Sequence, residues 1–410
     1  MPPSDPAPAP TERLHALDAV RGFALLGGLV FHAALAFLPG PQAWLVMDPS
    51  RSLAISLLAF VLHMFRMVVF FLIAGFFARL LLERLGTGAF IRHRLKRIAL
   101  PLAVFWLPVI AGIVAVMAWS WNLANPGVPP PPPPAGQFPA FPLTHLWFLY
   151  ALLLLYAAAL MLRALVRAID RGGRLRAGID RLVALAAGTP AAPFLLALPV
   201  TAALASQRAW PMWFGIPTPD QSLVPNLPAA VGYSMAFALG WLIHRQVTLL
   251  QRWAAHWPAA IGIALIATVA ALAILGPADI TRLPSEDASR YAYYFAYAVG
   301  AWAWTIGGIG LALRTMAGES RVRRYIADAS YWVYIVHLPI VLALQVAFAQ
   351  SSLHWIVTFP AILGGALLIA FASYHVLVRR SFLGVLLNGR RYRKGAPAAA
   401  GRSVREGAAP

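Results

Sequence analysis

The sequence predicts an all-α fold, a polytopic bundle of about ten transmembrane helices with both termini in the cytoplasm. Hydrophobic residues make up 60% of the 410 residues and charged residues only 11%. The mean hydropathy of +0.71 reflects long apolar runs, where a soluble protein would show amphipathic helices. The net charge of +19 is concentrated in segments between those runs, which indicates positive-inside topology and no nucleic-acid partner.

Proline-rich or basic segments end the apolar runs and set ten predicted spans. The fifth is short and contains Pro193 and Pro199, which a membrane tolerates only where neighbouring groups satisfy the freed backbone. The predicted spans cover residues 17–38, 53–83, 98–120, 145–166, 191–206, 228–245, 257–276, 291–314, 327–348 and 355–377.

The distribution of basic residues predicts the orientation. Ten spans place both termini on one side, and with that side inside, the outer loops contain only Arg51, Arg208, Arg282 and Arg290 of the 33 Lys and Arg residues. Loss of the fifth span would invert half of the protein and expose an arginine cluster on the outside. The charges therefore support ten spans and cytoplasmic termini.

Three segments outside the spans have distinct compositions. Residues 1–12 are rich in proline and alanine and predict a disordered tip, which leaves 13–380 as the membrane domain. The loop at 121–144 has no Lys or Arg and contains an unbroken proline run from Pro129, typical of a stiff polyproline spacer. Residues 381–410 form a basic cytoplasmic tail. The chain has no cysteine, which excludes disulfides and cysteine nucleophiles.

The first span carries Asp18, Arg21 and His32. Arg21 and His32 are eleven residues apart, close to three helical turns, so they share one face about 16 Å apart along the axis. A neutral imidazole inside the membrane can accept a proton from a hydroxyl as a general base. A structural histidine between packed helices is an equal alternative.

The second span carries His63 and Arg66, which lie three residues apart on one face. An arginine at the bilayer centre costs about 2.5 to 3.5 kcal/mol on insertion scales, so Arg66 is expected to face the bundle interior or a wet cavity. An anionic ligand, a water-filled cavity or backbone carbonyls are plausible partners. A buried structural salt bridge is the alternative.

Two later histidines also lie at informative positions. His145, with Trp147, opens the fourth span at the outer surface, where such residues are common interfacial anchors. His337 lies midway along the ninth span, and Pro339 frees a backbone carbonyl close to it. A packing role and a functional role are equally supported for His337.

A dense basic segment between two spans contains Arg92, Arg94 and Arg97. Arg94 and Arg97 are three residues apart and can point together at a phosphate group. Anionic lipid headgroups are an equally physical target.

Motifs over about residues 13–380 resemble the acyltransferase 3 family of membrane acyltransferases, and most closely its glucan-modifying branch. They are specific as an ordered set. The motifs are Asp18-Ala-Val-Arg21-Gly22 with His32, His63-Met-Phe-Arg66-Met, Phe70-Phe71-Leu-Ile-Ala-Gly75-Phe76, Arg94-Leu-Lys-Arg97-Ile-Ala-Leu-Pro101, His145-Leu-Trp147-Phe-Leu, Phe237-Ala-Leu-Gly-Trp241 and Ser330-Tyr-Trp-Val-Tyr334-Ile-Val-His337.

The resemblance implies a ten-helix enzyme of the bacterial inner membrane that moves an acetyl or succinyl group from cytoplasmic acyl-CoA to a hydroxyl of an extracytoplasmic glucan or other carbohydrate. It implies His32 as the base, Arg21 as essential, and Arg94 and Arg97, with Arg92, as donor-binding residues. Acyl-CoA is then a co-substrate, and we expect no bound cofactor and no metal. Membrane lipid is a further partner. The remaining site candidates are His63, Arg66, Asp18, His145, Trp147, Ser330, Tyr334 and His337.

The predicted reaction begins when His32 deprotonates the acceptor hydroxyl, and Arg66 is a candidate to stabilise the oxyanion that follows. A covalent acyl-histidine relay stays open. Arg66 could pair with the distal carboxylate of succinyl, and acetyl is equally compatible. Ala74 replaces the serine of the family pattern, so a hydroxyl is absent there. A transporter or flippase, or a lipid-binding membrane sensor, are the competing classes.

Overall fold

The computed structural model describes residues 10–41, 44–130, 141–208, 210–219, 222–276, 280–283 and 287–388, and within them the chain is helical without β-strands. Of two π-helical turns, Leu95–Ala99 joins the third helix to the fourth, and Tyr374–Val378 extends the twelfth. The helices are α1 (Pro10–Ala34), α2 (Leu53–Leu85), α3 (Thr87–Arg94), α4 (Leu100–Ala124), α5 (Trp147–Ile169), α6 (Arg174–Ala187), α7 (Ala192–Ala205), α8 (Leu227–Ile243), α9 (Thr248–Leu275), α10 (Ser289–Thr315), α11 (Arg321–Ala349), α12 (Trp355–Ser373) and α13 (Phe382–Asn388).

The multi-pass helical class is confirmed. Eight segments of the described chain are long and apolar enough to cross a membrane, and they match eight of the ten predicted spans. The other two correspond to α7, with 14 residues, and α8, with 17. At 1.5 Å per residue these helices are only about 21 and 26 Å long. Helices α6 and α7 meet at 104° and would count as a ninth span if taken together, so the total of ten stays a prediction.

Three predicted segments lie partly outside the described residues. The structure is described from Pro10, where α1 begins, so most of the predicted tip at 1–12 is not covered. Residues 131–140 of the proline-rich loop are also outside the described part, and residues up to Ala124 belong to α4. In the tail, α13 is described and residues 389–410 are not.

Successive long helices reverse direction, so the bundle has two ends. At the first, which we call the basic end, the π turn after α3 meets α13, and α13 meets α11: Arg97 donates to the carbonyl of Leu386 at 3.2 Å, and Asn388 donates to that of Asp328 at 2.9 Å. At the opposite end, the Trp355 amide donates to the hydroxyl of Ser50 at 3.0 Å. The described arginine clusters lie at the basic end.

Helices α2 and α8 cross at backbone contact through two glycines. A Cβ atom on Gly75 would lie 2.0 Å from the carbonyl oxygen of Phe237, and one on Gly240 would lie 1.8 Å from that of Leu72. Any larger residue at either position would push the helices apart, as in other membrane bundles whose interfaces use small residues. Both glycines belong to the resembling motifs, which here have a packing role.

Candidate active site

Three histidines that the sequence placed on separate spans converge inside the bundle. His32 comes from α1, His145 from the turn before α5, and His337 from α11. The ring centroids of His32 and His337 lie 5.0 Å apart, those of His145 and His337 4.9 Å, and those of His32 and His145 6.5 Å. The described residues contain no group of three His, Asp or Glu side chains arranged to hold a metal ion.

Hydrogen bonds fix which nitrogen of His32 can accept a proton. His337 Nδ1 lies 2.7 Å from the carbonyl oxygen of Tyr334, and a carbonyl has no proton to give, so Nδ1 is the donor. In a neutral ring His337 Nε2 then accepts, and its partner is His32 Nδ1 at 2.8 Å. His32 Nδ1 therefore carries the proton in neutral His32, which leaves the lone pair on Nε2. This is the tautomer that a general base needs.

Pro339 determines the orientation of His145. A proline has no backbone N–H, so the carbonyl of Ile335, four residues earlier, loses its helical partner. His145 Nε2 lies 3.1 Å from that oxygen and donates to it. The Tyr334 hydroxyl donates to the carbonyl of His145 at 2.7 Å. The freed carbonyl expected from the sequence is thus found, and it fixes one histidine of the cluster.

The interfacial position predicted for His145 and Trp147 is wrong. His145 is 7% exposed and Trp147 is 5% exposed. The Trp147 ring packs against Phe71 at 5.9 Å and Tyr233 at 5.4 Å between centroids. The loop before α5 folds into the bundle at Leu143–Leu146, so the start of the helix is covered by protein.

Trp44 and Gln345 hold His32 from the end of the bundle opposite the basic end. Neither residue is among the site residues predicted from the sequence. Gln345 Nε2 donates to the carbonyls of His32 and Ala33, at 2.9 and 3.2 Å. These belong to the last turn of α1, whose carbonyls lack helical partners. Trp44 Nε1 donates to Gln345 Oε1 at 3.0 Å, and its ring stacks on His32 with centroids 5.7 Å apart.

Arg66 faces the bundle interior, as expected. Its guanidinium carbon lies 5.1 Å from the ring centroid of Phe31, and its Nε is buried without a hydrogen-bond partner. Across the described residues Arg66 has no carboxylate partner, so the structural salt bridge is not observed there. A Cβ atom on Gly28 would lie 2.6 Å from Arg66 Nη1, so this glycine makes the space for the guanidinium.

His63 packs against Phe31, which also packs against His32 of the cluster. Its ring is 5.3 Å from Phe31, and the His32 ring is 5.4 Å from Phe31. His63 Nδ1 is 3.2 Å from the Tyr297 hydroxyl, which joins α2 to α10. His63 and Arg66 therefore share one neighbour, as their spacing predicted.

A cavity of about 410 Å³ opens at the basic end and leads toward the histidines; we call it the donor cavity, after the role that the resemblance implies for its arginines. Arg21, Arg94 and Arg97 line it together with His93, a residue to which the sequence gave no weight. Leu25 lies one turn after Arg21, so α1 presents the face that the spacing of Arg21 and His32 predicted. The cavity is further lined by Phe70, Ala74, Phe148, Leu149, Tyr156, Ser330 and Tyr334.

Neighbouring aromatic rings and a carboxylate hold two arginines of the donor cavity in place. The Arg94 guanidinium lies over the rings of Phe90 and Tyr156, 5.1 and 4.9 Å from their centroids. Arg21 pairs with Asp18 at 3.1 Å, and both side chains are about 40% exposed. Arg92 is exposed and does not line the cavity, unlike the two arginines with which the sequence groups it.

Tyr334 connects the cavity to the histidines. Its side chain lines the donor cavity, its carbonyl accepts from His337 and its hydroxyl donates to the carbonyl of His145. Ser330, one turn earlier on α11, lines the same cavity and donates to the carbonyl of Ala327 at 2.9 Å. A ligand that fills the cavity would therefore end one side chain away from the His32–His337 pair.

A protein-family model described as an acyltransferase domain, that of acyltransferase 3, matches residues 14–375. The chain belongs to the acyltransferase 3 family. This membership places the chain among the acyltransferases, and not among the transporters or membrane sensors that its composition also allowed. The match covers the histidine cluster, Arg66 and all of the donor-cavity residues named above.

Curated relatives of this acyltransferase carry the name glucans biosynthesis protein C. The protein from Escherichia coli strain SMS-3-5 is 34% identical over 95 residues, which is 23% of this chain and 24% of the relative. Those from Shigella boydii serotype 4 and E. coli K12 are 33% identical over the same shares. The match thus spans about a quarter of these relatives. No solved structure matches the chain.

Proposed function

We propose that this acyltransferase moves an acyl group from cytoplasmic acyl-CoA to a hydroxyl of an extracytoplasmic glucan or other carbohydrate in the bacterial inner membrane. One observation carries the proposal: the hydrogen bonds of His337 leave His32 Nε2 as a proton acceptor, and Tyr334 links this pair to the cavity that arginines line at the basic end. The names of the curated relatives support a glucan as acceptor.

The donor enters from the basic end, which the positive-inside rule assigns to the cytoplasm. Arg21, Arg94 and Arg97 bind the phosphates of CoA, because guanidinium groups form charge-assisted hydrogen bonds with phosphate oxygens. The uncharged arm of CoA then lies along Phe70, Leu149 and the other apolar walls of the donor cavity. Its thioester reaches Tyr334 and the histidines.

The acceptor comes from the opposite end, where the Trp44 ring offers a flat apolar face for a sugar. His32 Nε2 takes the proton of the hydroxyl, and the oxygen forms a bond to the thioester carbonyl carbon. Collapse of the tetrahedral intermediate breaks the C–S bond, and His32 returns the proton to the departing thiolate. Arg66, whose charge has no carboxylate partner among the described residues, stabilises the oxyanion.

Arg66 also bears on the identity of the acyl group. A succinyl group carries a distal carboxylate that Arg66 could bind, whereas acetyl would leave Arg66 to the oxyanion alone. The proposal covers both donors, and the choice between them is an outcome of the experiment.

The test is release of free thiol by the purified protein with acetyl-CoA or succinyl-CoA, each with and without a glucan acceptor. We expect release that depends on the acceptor, and a loss of about 100-fold or more in His32→Ala, since a positioned general base contributes about 10² to 10⁴ in rate. His32→Gln keeps a polar side chain but offers no basic nitrogen, so it should be equally inactive.

His375→Ala is the matched control, because His375 is exposed on the π turn after α12 and its one hydrogen-bond partner among the described residues is Arg379, at 3.5 Å. It should keep wild-type rates. Wild-type rates in His32→Gln would overturn the role of His32 as base. Thiol release that is the same with and without every carbohydrate, or no binding of either CoA, would overturn the proposed reaction.

A further inference from the structure

A second cavity at the basic end has no part in the proposed reaction. It has a volume of about 640 Å³ and lies between α2, α5, α6 and α8; we call it the lateral groove. It shares no lining residue with the donor cavity. Its walls include Leu155, Leu162, Phe237 and Trp241. The groove is therefore a separate site with its own chemistry.

The lateral groove faces the membrane side of the bundle. The span that contains α5 is the least buried of the eight in the described chain, with 17% of its apolar window covered by protein. Leu162, on the rim of the groove, is 60% exposed. Trp241 and Phe237, at 8% and 3%, form its inner wall. An apolar chain from the surrounding bilayer can thus enter sideways.

Five arginines line the lateral groove, and three of them form ion pairs with carboxylates. Arg79 binds Glu83 at 2.5 Å, Arg176 binds Asp170 at 2.9 Å and Arg245 binds Asp180 at 2.7 Å. The other two are Arg163 and Arg167.

Arg163 and Arg167 form no hydrogen bond or ion pair with the residues that the structure describes. Glu83 acts on Arg163 at longer range but is already held by Arg79 and faces His244 at 3.5 Å. The two arginines are four residues apart on α5, so they point to the same side of the helix. Two guanidinium groups of the lateral groove therefore have no carboxylate partner among the described residues.

We propose that the lateral groove binds one anionic phospholipid. Its phosphate lies between Arg163 and Arg167, and one acyl chain follows the wall from Leu162 to Trp241. A zwitterionic lipid would bring its own cation next to two arginines, whereas an anionic headgroup neutralises them. Arginines near the headgroup level attract anionic lipid in this way, and long side chains reach to that level from within a span.

The test is native mass spectrometry of the full-length detergent-solubilised protein with phosphatidylglycerol or phosphatidylcholine of the same acyl chains. We expect the wild type to retain phosphatidylglycerol, and Arg163→Gln with Arg167→Gln to reduce retention at least about tenfold. The control is Arg171→Gln with Arg174→Gln, which removes two exposed arginines from the same end that do not line the groove. It should retain lipid as the wild type does.

A second variant tests the groove without changing charge. Ala158 lines the lateral groove and is exposed, so Ala158→Phe should fill the apolar path and also lower phosphatidylglycerol retention. If both arginine double variants lost phosphatidylglycerol retention to the same extent, the lipid would be attracted only by overall positive charge, and the proposal would be overturned. Equal retention of phosphatidylcholine, displacement by excess glycerol phosphate, or a second copy of the chain in place of lipid would also overturn it.

Discussion

The donor cavity and the lateral groove share much of their construction. Both open at the basic end, and α5 lines both. Each holds an arginine against an aromatic ring: Arg94 lies 4.9 Å from the centroid of Tyr156, and Arg79 lies 5.5 Å from that of Trp241. They differ in where they lead. The donor cavity continues to Tyr334 and the hydrogen-bonded histidines, whereas the lateral groove ends at an apolar wall.

The comparison shows that a cluster of arginines indicates a site for an anionic ligand but does not indicate which reaction, if any, takes place there. Arginines at the basic end suit a CoA phosphate and a lipid phosphate equally well. What distinguishes the two cavities is the polar chain beyond the arginines, from Tyr334 to His337 and His32. Variants that act on one cavity should therefore leave the other unchanged.

The largest effect is expected from His337→Leu. Loss of the imidazole removes the acceptor that keeps the proton on His32 Nδ1, so His32 can adopt the unproductive tautomer. The rate of acceptor-dependent thiol release should fall about 100-fold or more. Phosphatidylglycerol retention, measured on the same preparation, should stay at the wild-type level. A rate within a few-fold of wild type would show that the His32–His337 bond has no catalytic role.

The next largest effect is expected from Arg94→Gln combined with Arg97→Gln. Each arginine lost removes charge-assisted hydrogen bonds to donor phosphates, so the KM for acyl-CoA should rise roughly 10- to 100-fold with a smaller change in kcat. Arg92→Gln is the matched control because Arg92 is exposed on the same short helix. A similar KM increase in the control would mean that the segment attracts CoA only through its overall charge.

A smaller effect is expected from Gly28→Ala. The new Cβ would lie 2.6 Å from Arg66 Nη1, and the flexible guanidinium would move away from it without disturbing the helices. If Arg66 stabilises the oxyanion, kcat should fall by roughly tenfold, less than for complete loss of an oxyanion donor. Thermal stability should be nearly unchanged.

Gly27→Ala is the control for Gly28→Ala. Its Cβ would contact the Arg66 side chain only at 3.6 Å, an ordinary van der Waals distance. Steady-state kinetics and melting curves of the pair separate a local displacement of Arg66 from general damage to α1. Equal kinetics in the two variants would argue against a role for Arg66.

The smallest effect is expected from Tyr334→Phe. The change removes the hydrogen bond of the hydroxyl to the carbonyl of His145 but keeps the ring in the donor cavity. One such bond contributes about 0.5 to 1.5 kcal/mol, so the rate should fall roughly fivefold. A comparable fall in phosphatidylglycerol retention would contradict the separation of the two cavities.

Local rules account for the parts of the fold and site that the sequence predicted. Helical spacing placed Arg21 and His32 on one face of α1. The missing N–H of Pro339 predicted a free backbone carbonyl, and His145 donates to that carbonyl, of Ile335. Insertion cost predicted an inward Arg66. In each case the decisive information lies within a few residues of the chain.

Other features depend on contacts between distant segments, which one sequence does not reveal. Gln345 is an ordinary polar residue until it meets Trp44 and the last turn of α1, which lie 301 or more residues earlier in the chain. His145 and Trp147 resemble interfacial anchors, and only the inward fold of the preceding loop buries them. Arg92 and Arg94 differ in exposure although they are two residues apart.

The hydrogen bond of His337 to the Tyr334 carbonyl has a consequence for membrane energetics. A carbonyl oxygen cannot store a proton, so the chain from His32 through His337 is closed at its far end. In the proposed reaction, the proton that His32 takes from a sugar goes to the leaving sulfur, because this chain offers it no route to either aqueous compartment. In the proposed reaction each turnover is then neutral with respect to the proton gradient, and collapsing that gradient in vesicles should not change the rate.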